Sequence, residues 1–145
     1  MQRHSQAEMI GILEGIPLFA RLTKRQLKAV AKVCTEVHYE PGKVILKELD
    51  SGQHLVIVTS GTAKVIRGGR TLATIRPGDV VGEMAIIDGE PRSATVTADS
   101  EVGGIAIYRT AFRRLLDEHP TMCSKLLLAQ TSRLRELDKR AAIHG

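Results

Sequence analysis

The chain predicts an α+β fold: an antiparallel, jelly-roll-like β-roll flanked by N-terminal helices and a C-terminal helix pair. Three observations carry that expectation. Between about residues 36 and 108, short β-branched and apolar runs alternate with Gly, Pro and Asp turn signals, the pattern of many short strands closing into two sheets or a barrel. Before and after that region the apolar spacing changes to the three-and-four-residue repeat of amphipathic helices. The 145 residues, 43 % hydrophobic and 26 % charged, fit one unit that buries a core and keeps a charged surface. We therefore read residues 1–145 as a single domain.

The N-terminal helices occupy about 5–33. Residues near 5–14 form the first, Pro17-Leu18-Phe19 make a short turn, and Thr23 N-caps the second, whose apolar positions are Leu27, Val30, Ala31 and Val33. Strand-like runs follow at 44–46, 55–59, 63–66, 72–75, 93–98 and 102–108. Gly68-Gly69 reads as a hairpin turn and Gly103-Gly104 as a bulge inside a strand. From Thr110 the pattern is helical again, over about 110–142. Phe112, Leu115 and Leu116 lead to a break at His119-Pro120, and a longer helix then carries Met122, Leu126, Leu127, Leu134 and Leu137.

The chemistry concentrates in residues 82–96, which run Gly82-Glu83-Met84-Ala85, then Ile86 to Pro91, then Arg92-Ser93-Ala94-Thr95-Val96. Gly82 allows a sharp turn and close backbone approach to a ligand. The apolar run from Met84 is long enough for one helical turn, whose unpaired N–H groups suit an anion. Arg92 offers a planar fork of donors matched to two phosphate oxygens, with the Ser93 hydroxyl beside it. Glu83 only accepts hydrogen bonds when ionised, so its partner is a hydroxyl such as a ribose 2′-OH and not the phosphate. A buried Glu83 in an empty pocket needs water or a basic partner. The whole set fits a cyclic phosphate ester of a ribose.

This run resembles the phosphate-binding cassette of the cyclic-nucleotide-binding domain family, shared by catabolite activator protein, protein kinase regulatory subunits and cyclic-nucleotide-gated channels. The resemblance extends over about residues 10–140. Glu40-Pro41-Gly42-Lys43-Val44-Ile45 resembles the family's first turn and strand; Asp50-Ser51-Gly52, His54 to Val58 and Ser60-Gly61 resemble its next turn, strand and hairpin; Arg76-Pro77-Gly78-Asp79-Val80 leads into the cassette. Two departures are Leu49 and Gln53, where the family usually has Gly and Asp; altered turn detail with binding retained is expected.

The resemblance implies ligand contacts from Gly82, Glu83, Met84, Ala85, Arg92, Ser93 and Ala94, with Val65 and Val80 in strands that line the family's pocket. For these two valines core packing is an equal alternative. It also implies a C-terminal helix that covers the bound base. The resemblance, aligned from Pro120, places Arg133 opposite the pocket, with Arg135 close behind. A guanidinium there would stack on the purine or pair with Glu83; the alternative is a solvated basic helix face.

Other features narrow the function. No segment approaches the roughly 18 apolar residues of a membrane helix, and polar residues interrupt the N-terminus where a signal peptide would be apolar, so a cytoplasmic location is expected. Cys34 and Cys123 read as buried reduced thiols in helical surroundings. The five histidines occur singly, without metal-ligand spacing, and His54 reads as structural. No metal, cofactor, P-loop or catalytic nucleophile set is expected. The net charge of +5 suits anionic ligands and admits contact with nucleic acid, or else reflects solvated helix faces. The chain stops at Gly145 without room for a helix-turn-helix, so no DNA-binding domain is expected.

The expected function is a non-enzymatic sensor of cAMP, with cGMP tolerated, whose ligand moves the C-terminal helix. The alternatives are a sensor fragment of a larger channel, transporter, enzyme or transcription factor, or a degenerate fold used for protein association. The last helix offers an apolar stripe for a homodimer.

Overall fold

The computed structural model describes residues 4–83 and 92–129, with 131 and 135. Two helices open the fold: α1 (Gln6–Glu14) and α2 (Lys24–Lys32), joined through a 3₁₀ turn at Pro17–Phe19. Both begin with a capping box. The Ser5 hydroxyl accepts from the Glu8 amide at 3.2 Å while the Glu8 carboxylate accepts from the Ser5 amide at 3.1 Å. Thr23 and Gln26 repeat the arrangement at 3.2 and 2.9 Å, so two otherwise orphaned donors are satisfied at each helix start.

Eight strands follow: β1 (Cys34–Tyr39), β2 (Val44–Leu46), β3 (His54–Ser60), β4 (Ala63–Arg67), β5 (Arg70–Ile75), β6 (Val80–Val81), β7 (Thr95–Ala98) and β8 (Val102–Tyr108). They form two four-stranded antiparallel sheets, ordered β1-β8-β3-β6 and β2-β7-β4-β5. Helix α3 (Arg109–Glu118) leaves β8 without a loop, and α4 covers 120–129.

Alternation along β3 and β8 divides the core in two. Leu55, Ile57, Ile105 and Ile107 face the helices and pack with Leu13, Phe19, Val30, Phe112 and Met122. Val56, Val58, Val102 and Ala106 face the other way, against Ile45, Leu46, Ala63, Val96 and Ala98 of the second sheet. Strands buried on both faces read as continuous apolar runs, which is why His54 to Val58 shows no polar alternation. Gln26 fastens α2 to α4: its amide donates to Thr121 Oγ1 at 3.1 Å, and Lys125 Nζ donates to its carbonyl at 2.9 Å.

The expected α+β roll and its flanking helices are present, with local differences. Strand β1 was not among the periodic runs, because Thr35, Glu36 and His38 leave only Val37 and Tyr39 as its apolar residues facing the roll. Cys34 therefore opens a strand and not a helical segment, and Cys123 is exposed, contrary to the expected burial. Gly68-Gly69 makes the hairpin, with φ of 57° and 77° at both positions. The irregularity expected at Gly103-Gly104 shows as a register shift between Val58 and Ser60 of the facing strand.

Among the described residues Leu49 is the one non-glycine with positive φ, at 72°. It sits where the resemblance led us to expect Gly, in a turn closed by the Asp50 amide donating to the Lys47 carbonyl at 3.2 Å, and its side chain is 78 % exposed. A left-handed Leu costs about 1–2 kcal/mol, while glycine loses about 0.5–1 kcal/mol more backbone entropy on folding. Leu49→Gly should therefore stabilise the fold by about 0.5–1 kcal/mol in urea unfolding, and a loss of stability would show that the exposed Leu49 side chain contributes packing.

Candidate functional site

The site is built around Arg92, which is 6 % exposed. Its backbone is clamped from both directions by the turn after β2: Leu49 N donates to Arg92 O at 2.9 Å, and Arg92 N donates to Asp50 O at 2.8 Å. Its guanidinium then reaches inward. Nη1 donates to the Gly82 carbonyl at 3.2 Å and Nη2 to the His54 carbonyl. Burial pulls the Arg92 pKa down, and the Asp50 carboxylate opposes that shift; the group stays cationic throughout the accessible range.

Gly82 is required by this packing. Its φ is +81°, and a Cβ there would overlap Arg92 Nη1 and press on the His54 carbonyl and Leu46. Gly82 is delivered by a second braced turn, in which Arg76 N donates to Asp79 Oδ2 at 2.8 Å and Val58 N donates to Asp79 O at 3.0 Å. His54 links the site to the other end of the roll. Its ring lies 5.4 Å from that of Tyr108, and the Arg109 amide donates to Gln53 O at 2.7 Å, which couples the same segment to the start of α3.

The expected residues fall as follows. Gly82 and Arg92 are in contact, Glu83 is half-buried next to Gly82, Ser93 is exposed and Ala94 is half-buried. Val65 lies half-buried on β4 against the roll interior. Val80 pairs with Ile57 and packs on the helix-side cluster, while its neighbour Val81 faces the interior; the two valines therefore do not share a face. Met84, Ala85 and Arg133 lie outside the described residues, as does the helix beyond 135. The His54 and Gly82 carbonyls are the partners that sequence reasoning did not assign, since backbone acceptors leave no side-chain signature.

A sequence model of the cyclic nucleotide-binding domain matches residues 36–119. The chain belongs to the cyclic nucleotide-binding domain family. It is 38 % identical to a cGMP-dependent protein kinase of Toxoplasma gondii over 76 % of this chain and 11 % of that protein. It is 33 % identical to the cyclic AMP receptor protein of Thermus thermophilus over 87 % of this chain and 61 % of that one. A mutant regulatory subunit of a cAMP-independent protein kinase A from Trypanosoma brucei, bound to cAMP in its A site, superposes with a TM-score of 0.72 at 27 % identity, covering 79 % of this chain and 44 % of that chain. The chain thus spans only part of these relatives.

The family chain carries a pH-sensitive contact at its candidate site. Burial, and then the neighbouring Arg92 charge, hold the His54 pKa below its usual value of 6.5. Between the folded and unfolded pKa the unfolded chain binds more protons, so this contribution is complete above about pH 6.5 and is lost as the pH falls through the lower folded pKa. The stability advantage of wild type over His54→Gln should shrink between pH 8 and pH 5 in paired thermal melts; an advantage that is flat or grows toward acid would contradict the assignment.

Proposed function

We propose that this chain is a non-enzymatic cyclic-nucleotide sensor, binding cAMP first and cGMP more weakly, with the phosphate on Arg92. The observation that carries it is a buried guanidinium whose hydrogen bonds among the described residues go to two neutral backbone carbonyls at a glycine turn, with the Asp50 carboxylate nearby, inside a domain of this family. A carbonyl is a weaker partner for a guanidinium than a phosphate anion, which makes a charge-assisted, bidentate contact. Ser93, exposed beside Arg92, adds a hydroxyl for the phosphate. Glu83 accepts from the ribose 2′-OH, so 2′-deoxy-cAMP binds less tightly than cAMP. No cofactor enters this role, and we place it in the cytoplasm; no helix among the described residues is long and apolar enough to cross a membrane.

Isothermal titration with cAMP and cGMP tests the reading. Arg92→Ala should lose about 2–4 kcal/mol of binding free energy, roughly thirty- to a thousand-fold in affinity. Unchanged binding of both nucleotides by that variant sinks the assignment.

The ligand is further proposed to reposition the helix after His119, with Arg133 closing over the base. The start of that helix is held to α2 by Gln26 through Thr121 and Lys125, so a shift must rearrange those two bonds. Leu127 on the same helix is 68 % exposed, an apolar surface that a second copy of the chain would cover. Amide exchange should slow on adding cAMP both around Arg92 and across 121–129; protection confined to the roll would mean that the helix does not respond.

A further inference from the structure

We propose that His38, Glu40 and Glu101 form a binding site for a divalent transition-metal ion, with Zn²⁺ the best match. The site arises from strand register. In the β1–β8 ladder His38 pairs with Gly103 and Tyr39 with Val102, so one step further Glu40 comes opposite Glu101. Two glutamates facing each other across strands repel; here they flank one imidazole. His38 Nε2 lies 2.5 Å from Glu101 Oε1, and Nδ1 lies 3.7 Å from Glu40 Oε1. One ligand atom from each of the three side chains falls within 4.8 Å of the other two.

That spread fits a metal centre. Zinc bonds of about 2.0–2.2 Å to N and O place neighbouring ligand atoms roughly 3.4 Å apart. All three side chains are exposed, so their rotamers have room for the shift of about an ångström that this requires. An imidazole with two carboxylates suits zinc and its first-row neighbours, whereas Ca²⁺ and Mg²⁺ prefer oxygen alone. A cavity of about 330 Å³ opens beside the cluster, floored by Gly103 and Gly104 and bordered by Thr59 and Ser60. Glycines there leave space for the waters that complete a three-ligand site. A second imidazole–carboxylate pair, His4 with Glu36, lines the same cavity and is not counted among the ligands.

Bound metal would join the end of β1 to the turn before β8. That turn already packs closely: the Glu101 carbonyl occupies the place where a Cβ on Gly61 would sit, and the Thr62 amide donates to Ser100 Oγ at 3.0 Å. The ion would thus clamp three connections at one end of the roll. Singly spaced histidines hid this from sequence, because Glu101 reaches His38 only through the ladder.

The test is titration of the untagged chain with ZnCl₂ by calorimetry, in a Cys123→Ser background that removes the exposed thiol as a competing ligand. One saturable site is expected, indifferent to millimolar Mg²⁺. His38→Ala and Glu101→Gln should each weaken it by at least about tenfold, and His4→Ala should leave it within about twofold. Thermal melts of the same proteins check folding, and zinc should raise the melting temperature of the parent but not of Glu101→Gln. The proposal is overturned if the parent shows no saturable zinc binding below 1 mM. It is equally overturned if His38→Ala and Glu101→Gln bind as the parent does, or if His4→Ala loses as much as they do.

Discussion

A cation that is almost wholly removed from water has to be paid for by its surroundings, and the Arg92 guanidinium imposes that constraint on this fold. Its desolvation is offset by two backbone carbonyls, those of Gly82 and His54, and by the nearby Asp50 carboxylate. Each of these groups comes from a different part of the chain. Gly82 follows β6, His54 opens β3, and Asp50 closes the turn after β2. The positions of three connections are therefore tied to one side chain, and the glycine at position 82 follows from the lack of space for any Cβ beside Nη1.

The arrangement also shows how a small roll accommodates a buried cation. The Gly82 and His54 carbonyls are neutral acceptors that satisfy guanidinium donors without adding charge, and the Asp50 carboxylate supplies the nearby negative charge. The backbone of Arg92 is meanwhile fixed by two short hydrogen bonds to the turn at Leu49 and Asp50, which keeps the side chain aimed at one place. The strained φ at Leu49 lies in that same clamp. Behind it, His54 against Tyr108 and Gln53 against Arg109 connect the arginine's surroundings to β8 and the start of α3.

Sequence reasoning reached the fold wherever residue type alone decides. The close approach at Gly82 was legible because a missing Cβ leaves room for it, and the structure packs the long donor fork of Arg92 into that room. The continuous apolar run of β3 and the Gly68-Gly69 hairpin were legible for similar local reasons. What stayed hidden depends on partners distant in sequence. Half-polar β1 becomes a strand by pairing with β8, and two-residue β6 by pairing with β3. Val80 and Val81 face opposite sides in a way that only that pairing decides, and Glu101 meets His38 across 63 positions. The exposure of Cys123 likewise follows from which face α4 turns to α2, set by Met122 and Leu126 in the core.

The central claim is that the carbonyls of Gly82 and His54 hold Arg92 until a cyclic phosphate replaces them. Nitrogen-15 NMR of the arginine side chains reports this directly. In the ligand-free chain the Arg92 guanidinium should give slowly exchanging, distinct Nη signals, and saturation with cAMP should shift them to the strongly deshielded positions of a phosphate-bound guanidinium. Signals that stay in place while cAMP is demonstrably bound would show that the nucleotide is held elsewhere, and the account would fail.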